Sequence, residues 1–409
     1  MDINLASPDF KLEQYPILAQ LRSEDPLHKL ALPGNREGYL VTRYEDAELI
    51  LKDQRFVKEV QHALSPAQIA EFYSWLIRPE EEQAANSDPS MNHHMLNTDP
   101  PDHTRLRALV NLSFTPRLVE QWRERIQNMT NELIDAVEPN GEMELINDIA
   151  FPLPITVITS MLGIPAEDHP RFRIWSTAVI ESTGNPEAVQ NAYGAIQEFR
   201  TYLQQTLRAR RGQDRGDLLS KLVQAEMEGD KLSEDELIGM VFLLLVAGHE
   251  TTVNLISNGM LALLLHPDQK EKLEQDPGLI KTAIEEFLRY QGPLQVATQR
   301  WAREDLELHG MHIRRGDYMV ISLASANRDS EIFKDSDMLD ITRKENRHLA
   351  FGKGIHYCLG APLARMEGQI AINTLLARFP NLSLNIDPSE LTWRPGATMM
   401  GLRALPLKF

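Results

Sequence analysis

A single cysteine, Cys358, stands in a glycine-rich stretch of this 409-residue chain, with Gly352, Gly354 and Gly360 around it. Glycine adopts positive φ at little cost, so the spacing predicts a sharply turning backbone that lies close to another group. The helical pattern that follows, residues 359–379, would put the sulfur at a helix N-terminus, where free N–H groups favour an anion. The anionic form of cysteine is the thiolate, which binds metals. This stretch therefore predicts a thiolate metal ligand.

The cysteine count narrows the chemistry. With one Cys in the chain, an intramolecular disulfide is excluded, and so is a zinc site built from several cysteines. A lone cysteine is most often a small buried apolar residue. The three glycines favour the ligand interpretation, because a buried filler needs no such frame.

A second group of unusual residues lies in the longest helical pattern, 234–266. Ser233 and Glu236 predict a capping box at its start, and Pro267 predicts its end. At about 1.5 Å per residue the pattern spans roughly 50 Å, enough to cross the molecule. Residues 240–247 are apolar on all sides, which predicts a buried helix.

At the end of this apolar run, four small or polar residues stand where a buried helix normally has large apolar ones, and such a group is typical of a functional site. Ala247 and Gly248 would leave room for a flat ligand, while Glu250 and Thr251 would supply an acid and a hydroxyl for a proton relay. A structural interpretation stays open from the residues alone. In it, Thr251 bonds to a helix carbonyl and Glu250 makes a buried salt bridge.

The stretch Phe-Gly-x-Gly-x-His-x-Cys-x-Gly at 351–360 resembles the haem-thiolate loop of the cytochrome P450 monooxygenases. Ala-Gly-x-Glu-Thr at 247–251 matches the oxygen-activation motif of that family. The resemblance implies a mainly α fold with small β-sheets (α+β), in which a long central helix crosses a helical haem-binding core. It implies one domain, 1–409, with a smaller β-rich portion near residues 30–60, 305–325 and 382–409.

The resemblance also implies which residues hold haem b. Cys358 would be the axial ligand of the iron. The residues that would neutralise the haem propionates are His103, Arg107, Arg300 and His356. Further contacts to the cofactor are expected from Phe351, Gly352, Gly360, Ala247 and Gly248. Without the resemblance, His103 and Arg107, four residues apart on one helix face, would be interpreted as a solvated basic face.

Glu286 and Arg289 form an i,i+3 pair, which by itself is a weak signal. Its position upstream of the Cys358 loop resembles the buried structural ion pair of the family. The family usually adds a third member, an Arg, in the segment 335–340. Here that position holds Met338, and Arg343 is the candidate replacement.

The candidate pocket residues are all apolar, so we expect an apolar substrate held mainly by shape. They are Leu243, Leu244, Ala247, Val296, Ala297 and Met399. The resemblance implies that the weakly periodic region 57–101 covers the distal pocket, with Phe72, Tyr73 and Trp75 as candidate lining. A short surface helix flanked by disordered polar loop is the alternative from the residues alone. We interpret the His93-His94 pair within this region as surface, because no acidic or Cys partner lies at ligand spacing.

The resemblance implies a monooxygenase that takes two external electrons and inserts one atom of O2 into an apolar molecule by hydroxylation or epoxidation. Polyketides, terpenoids, steroids and fatty acids are the expected substrate classes, many of them from secondary metabolism. Two alternatives stay open: a peroxide-driven peroxygenase and a non-catalytic haem protein that binds a ligand. The Glu250-Thr251 pair counts against both.

Composition limits the partners. Lys and Arg number 42 against 59 Asp and Glu, and the net charge of −17 argues against nucleic acid and anionic membranes. The N-terminal residues do not form a secretory signal, and the apolar run 240–248 is too short to span a bilayer. We expect a cytoplasmic monomer of the soluble bacterial type. Its electrons would come from a ferredoxin- or flavodoxin-type donor with its reductase, docking near Lys353, Arg123 and Arg125.

Overall fold

The computed structural model describes residues 3–32, 36–76, 89–111, 113–182, 186–227 and 232–409, excluding side chains at 31–37, 72–90 and 182–191. Helices make up most of this part of the chain. In order they are α1 Pro8–Glu24, α2 Tyr44–Lys52, α3 Pro66–Leu76, α4 Asp102–Asn111, α5 Pro116–Glu120, α6 Arg123–Val137, α7 Pro152–Leu162, α8 His169–Ser182, α9 Pro186–Arg210, α10 Leu218–Met227, α11 Glu234–Leu265, α12 Pro267–Gln275, α13 Ile280–Gln291, α14 Leu323–Ala326 and α15 Ala361–Arg378. The predicted mainly α fold is confirmed.

The strands are short and form small sheets. They are β1 Leu27–Leu32, β2 Arg36–Val41, β3 Phe56–Val57, β4 Glu142–Glu144, β5 Arg300–Ala302, β6 Leu306–Leu308, β7 Met311–Ile313, β8 Tyr318–Ile321, β9 Ser383–Leu384 and β10 Pro406–Lys408. One sheet has the order β1-β2-β8-β5-β3, in which β2 and β8 are parallel, with Gly38 opposite Tyr318. The others are β4-β10-β9 and the hairpin β6-β7. The two strands within residues 382–409, β9 and β10, therefore share a sheet with β4 and not with the strands of residues 27–57.

The central helix α11 begins at the capping box that the sequence predicts. The Ser233 hydroxyl accepts the Glu236 N–H at 3.2 Å, and the Glu236 carboxylate accepts the Ser233 N–H at 2.8 Å. The helix is 32 residues long and ends before His266 and Pro267. By length and composition it could cross a membrane, but 72% of its most hydrophobic window is buried inside the structure. Its apolar surface is thus covered by the protein core.

The central helix is the hub of the larger hydrophobic core. That core gathers buried side chains from α6, α7, α13 and α15 around α11. A second hydrophobic cluster lies under the five-stranded sheet and includes Val41, Ile321 and Leu349. Residues 394–401 form a turn, called the C-terminal turn below, in which the Arg394 N–H donates to the carbonyl oxygen of Gly401. Asn258 of α11 donates to the carbonyl oxygen of Met400 at 2.8 Å and so links this turn to the central helix. This packing fixes α11 relative to α15, which directly follows Cys358.

Candidate functional site

The loop that carries Cys358 turns at two of the three predicted glycines. Gly352 and Gly354 have φ of +68° and +70°. A Cβ on Gly354 would lie 2.7 Å from the carbonyl oxygen of Leu51, so this position also needs glycine for a close backbone approach. The Cys358 N–H donates to the carbonyl oxygen of Phe351 at 2.9 Å and closes the turn. The sulfur is held three residues before α15 begins.

Gly360 does not have the turning backbone that the sequence predicts for the three glycines. Its φ is −81°, which any residue adopts, and no protein atom lies within 4 Å of where its Cβ would be. Neither backbone strain nor protein packing therefore requires glycine here. Gly360 lies in the wall of a large cavity beside Cys358. The missing side chain leaves room for a group bound in that cavity.

The electrostatic surroundings of the Cys358 sulfur pull in two directions. Cys358 is exposed in the cavity, but the protein around it desolvates the thiol and raises its pKa, whereas hydrogen bonds from the N–H groups of Gly360 and Ala361 and the charge of Arg107 act to lower it. Donors at the start of α15 thus point at the sulfur, as its position before a helix predicts. A metal ion bound to this sulfur would decide the balance in favour of the thiolate.

The four residues predicted to hold the propionates converge near the Cys358 loop. His103 and Arg107 project from α4, and the His103 ring lies 4.3 Å from the His356 ring, centroid to centroid. Arg107 Nη2 donates to the carbonyl oxygen of Tyr357 at 2.6 Å. Arg300, at the start of β5, has its guanidinium on two nearby backbone carbonyls. Arg107, Arg300 and His356 line the cavity.

A further cation, Lys58, was missed by the sequence reasoning. Its side chain is fully buried and its Nζ donates to the hydroxyl of Thr298. Burial first, and then the charge of Arg300, lower its pKa well below the usual value. No spacing rule marks this residue, because a Lys after a two-residue strand is usually a surface residue.

These residues fit a group that carries anionic oxygens. Both ring nitrogens of His103 are buried without a hydrogen-bond partner in the described part of the chain. Burial lowers the pKa of His103 to about 4, and the charge of Arg107 adds to this effect; burial lowers that of Arg300 to about 10. The charges of Arg107 and Arg300 both act on His103 and require a compensating anion, whereas His103 is neutral at this pKa and can donate a hydrogen bond to such an anion. A cofactor with a metal beside Cys358 and carboxylates beside these cations, such as haem b, meets that requirement.

The cavity has a volume of about 240 Å³, and residues from the central helix, the Cys358 loop and the segment around Ala297 line it. The predicted residues in its wall are Leu243, Leu244, Ala247, Gly248, Thr251, Ala297, Phe351, Gly352, Arg107, Arg300, His356, Cys358 and Gly360. Val296 and Met399 lie outside the described wall. The backbone of Val296 pairs with that of Ser322, and the backbone of Met399 pairs with that of Leu294.

Gly248 has a packing role that the sequence did not predict. A Cβ on this residue would lie 3.0 Å from Cγ1 of Ile158 in α7. Gly248 therefore lets the central helix approach α7 closely, and it does more than leave room for a ligand. The small residue that lies in the wall beside it is Ala247.

Thr251 and Glu250 point to different places. The Thr251 hydroxyl donates to the carbonyl oxygen of Ala247 at 3.0 Å, and Thr251 lies in the cavity wall. Glu250 is absent from the described wall, and its carboxylate accepts from Ser176 at 3.1 Å and Arg394 at 3.0 Å. Burial alone would raise the pKa of Glu250, but His249, Arg394 and Ser176 lower it to about 2. The two contacts that a purely structural role predicts are therefore present: the bond from Thr251 to a helix carbonyl and the buried salt bridge of Glu250.

A further acid, Glu367, lies in the cavity wall and was not predicted. It is on α15, fully buried, and neither carboxyl oxygen has a hydrogen-bond partner of good geometry among the described residues. Burial raises its pKa to about 8, with the Thr252 hydroxyl acting in the opposite direction. A Glu within an apolar helical pattern was the available signal, because such a residue is buried at a cost.

Glu286 and Arg289 form the buried ion pair that the sequence predicts, with 2.7 Å between Oε1 and Nη2. The His93-His94 prediction was wrong in part, because His94 is buried and only His93 is exposed. Burial lowers the pKa of His94 to about 4. The side chains of the candidate lining residues Phe72, Tyr73 and Trp75 lie outside the described residues.

Comparison with known proteins identifies what the chain resembles. The cytochrome P450 family profile matches residues 184–277 and 278–400. The chain is 43% identical over 412 residues to the cytochrome P450 monooxygenase PikC of Streptomyces venezuelae, covering 100% of this chain and 94% of PikC. It is 42% identical over 403 residues to the polyketide biosynthesis cytochrome P450 PksS of Bacillus subtilis (strain 168), and the match covers 98% of this chain and 96% of PksS.

A solved structure shows the same fold. The crystal structure of the myxobacterial cytochrome P450 CYP267B1 in complex with myristic acid superposes with a TM-score of 0.91. The two sequences are 43% identical, and the match covers 99% of this chain and 98% of the other. The likeness therefore includes the whole cavity as well as the Cys358 loop.

Proposed function

The chain belongs to the cytochrome P450 family, and we propose that it oxidises an apolar small molecule related to polyketides, fatty acids, terpenoids or steroids. Membership makes the chain a haem-thiolate monooxygenase with haem b as its cofactor. The observation that carries the substrate proposal is the apolar wall above Cys358, formed by residues such as Leu243, Leu244 and Ala297. Hydroxylation or epoxidation is the proposed outcome.

The haem supplies the activation of dioxygen when it is bound. We propose that Cys358 is its axial ligand. We propose that its carboxylates are held by the residues with hydrogen-bond donors at this side of the cavity, namely His103, Arg107, Arg300, His356 and the buried Lys58. The N–H groups at the start of α15 would stabilise the thiolate.

Protons must reach the cavity from the chain's own groups. We propose that the Thr251 hydroxyl holds a proton at the cavity wall and that Glu250 replenishes it. The position of Glu250 on Arg394 and Ser176 means that its side chain must turn before this transfer. The pair is supported by its place on one turn of the central helix.

The substrate class is supported by two relatives. PksS is described as a polyketide biosynthesis enzyme, and CYP267B1 was crystallised with myristic acid. A wall formed mainly by aliphatic side chains suits both kinds of molecule, since it binds by area and shape. We propose that the chain accepts a molecule of comparable apolarity.

The enzyme takes electrons from a separate redox partner, and we propose that this partner is of ferredoxin or flavodoxin type. Exposed Ile355 and Tyr357 on the Cys358 loop, with Lys353 beside them, support docking there. Arg123 is paired with Glu120, so its contribution is weaker than the sequence predicts. The buried central helix favours a soluble protein, and we propose a cytoplasmic monomer.

The first test is the absorbance spectrum of the reduced protein exposed to carbon monoxide. A strongly red-shifted Soret band is expected for thiolate ligation by Cys358. Polyketides, fatty acids, terpenoids and steroids are then titrated, and a spin-state shift identifies a ligand. Product formation with a ferredoxin, its reductase and NADPH supports the proposal. Product with peroxide but none with the ferredoxin, its reductase and NADPH would contradict it.

A further inference from the structure

We propose that Arg394 is a positioning residue that holds Glu250 away from the cavity and controls its release toward Thr251. The inference rests on the proposed role of Glu250 in proton supply. Arg394 lies 144 positions from Glu250 in the sequence, on the C-terminal turn, and no motif connects the two. Their contact joins this turn to the central helix at the residue before Thr251.

The Glu250 carboxylate is enclosed by polar partners. Its side chain is 3% exposed, Oε2 accepts from Arg394 Nη1 at 3.0 Å, and Oε1 accepts from Ser176 Oγ at 3.1 Å. Held in this way it is ionised and has no proton to give. The carboxylate must leave Arg394 to collect a proton from water, pass it toward Thr251 and return as the anion. Release from Arg394 is therefore a required step of each transfer by Glu250.

The position of Arg394 is fixed from both sides of its backbone. Its N–H donates to the carbonyl oxygen of Gly401 at 2.8 Å, and its carbonyl oxygen accepts from Lys11 Nζ at 2.6 Å. Lys11 also donates to the carbonyl oxygen of Met399 at 2.7 Å, so α1 holds the whole turn. A guanidinium on so rigid a backbone is suited to orienting another group.

The Arg394 guanidinium contacts two carboxylates, those of Glu250 and Glu181. Its Nε lies 3.4 Å from Glu181 Oε1, and the Glu181 side chain is 30% exposed whereas that of Glu250 is almost fully buried. Glu181 and Ser176 both belong to α8. A shift of α8 would therefore change two contacts of the Arg394–Glu250 pair at once. The geometry links the position of α8 to the release of Glu250.

The test is a double-mutant cycle with product formed per NADPH as the readout. Arg394→Met should lower this ratio at least threefold and raise peroxide release, because the Glu250 carboxylate then has no fixed partner to which it returns as the anion after each transfer. The carbon monoxide band and the substrate spin shift should be retained. Arg394→Lys should restore part of the ratio. In a Glu250→Gln background, Arg394→Met should change nothing further, because the group it positions is already absent.

Two outcomes would overturn the proposal. One is an unchanged ratio in Arg394→Met, and the other is an equal loss in the presence and absence of Glu250→Gln, which would mean a purely structural role. If Arg394→Met does not fold, Arg394→Lys and Glu181→Gln are taken through the same cycle with the same criteria. Failure of the proposed function would instead appear in the unmutated protein, as absence of the red-shifted band or of product.

Discussion

Arg343 Nε lies 3.1 Å from Glu286 Oε2, so Arg343 completes the ion pair that Glu286 forms with Arg289. The family position expected to hold this Arg is Met338, whose side chain is exposed and whose carbonyl oxygen accepts from Arg289 Nη2 at 2.9 Å. A residue five positions further along thus supplies the charge, while the backbone at Met338 supplies an acceptor. The third cationic contact to this ion pair thus comes from a different part of the loop.

Arg343→Met should destabilise the protein by about 1–3 kcal/mol, because a buried carboxylate loses a charged hydrogen-bond donor but keeps Arg289. Denaturant unfolding of the haem-bound protein measures this. Met338→Ala is the matched control at the position that the family uses, and its effect should stay within about 0.5 kcal/mol. A larger loss from Met338→Ala than from Arg343→Met would contradict the assignment.

Thr251→Ala should keep the carbon monoxide band and substrate binding but divert electrons from product to peroxide. The reason is the loss of the hydroxyl in the cavity wall. The measurement is product and peroxide per NADPH consumed. Thr201→Ala removes a similar hydroxyl-to-carbonyl contact in α9, at 2.9 Å and exposed, and should leave the ratio unchanged. Unchanged coupling in Thr251→Ala would reject the relay.

Cys358→His should abolish the red-shifted band in the carbon monoxide complex and the monooxygenase activity with it. Imidazole replaces the thiolate, so the electron donation that favours oxygen cleavage is lost. The spectrum of the reduced complex and product formation are measured together. A variant with full activity and the same red-shifted band as the unmutated protein would show that the sulfur is not the ligand.

Lys58→Met should have opposite effects on the haem-free and haem-bound protein. Without haem, removing a buried amine beside Arg300 should raise the free energy of unfolding by about 1 kcal/mol or more. With haem, transfer of the cofactor to an apo-globin should become faster, because one cation of its carboxylate site is gone. Lys334→Met, at an exposed position, is the control for both measurements. Equal stability and equal transfer rates would remove Lys58 from the site.

Local patterns predicted the parts of this protein whose cause is local. The capping box of Ser233 and the positive φ of Gly352 and Gly354 follow from neighbouring residues, and the structure contains all of them. The fold class and the order of the chemical motifs followed from resemblance. These features required no knowledge of which distant segments meet.

The errors concern contacts between distant segments. Arg394 reaches Glu250 across 144 positions, and Lys58 reaches Thr298 across 240, so no spacing rule could have found either. We expected Met399 in the pocket because we expected its turn to reach into the pocket. Its backbone instead pairs with Leu294 and accepts a hydrogen bond from Lys11. Sequence can name the chemistry of a residue, whereas tertiary packing decides which way the side chain points.

Glu367→Gln should remove a pH-dependent cost to stability. Burial raises the pKa of Glu367 from 4.5 to about 8, so between these values the unfolded chain has lost a proton that the folded chain keeps. The free energy of unfolding contributed by this group therefore falls by about 1.4 kcal/mol per pH unit as pH rises through that window, and it levels off above about 8. Glutamine has nearly the same shape and does not titrate.

The difference in unfolding free energy, Glu367→Gln minus the unmutated protein, should therefore grow with pH from 5 to 8. Denaturant unfolding at several pH values measures it, with Glu390→Gln at an exposed position as the matched control. The Thr252 hydroxyl lowers the pKa of this acid and would limit the gain. A difference that is flat across the window would mean that Glu367 is ionised in the folded protein, and would require a cationic or hydrogen-bonding partner in the cavity wall.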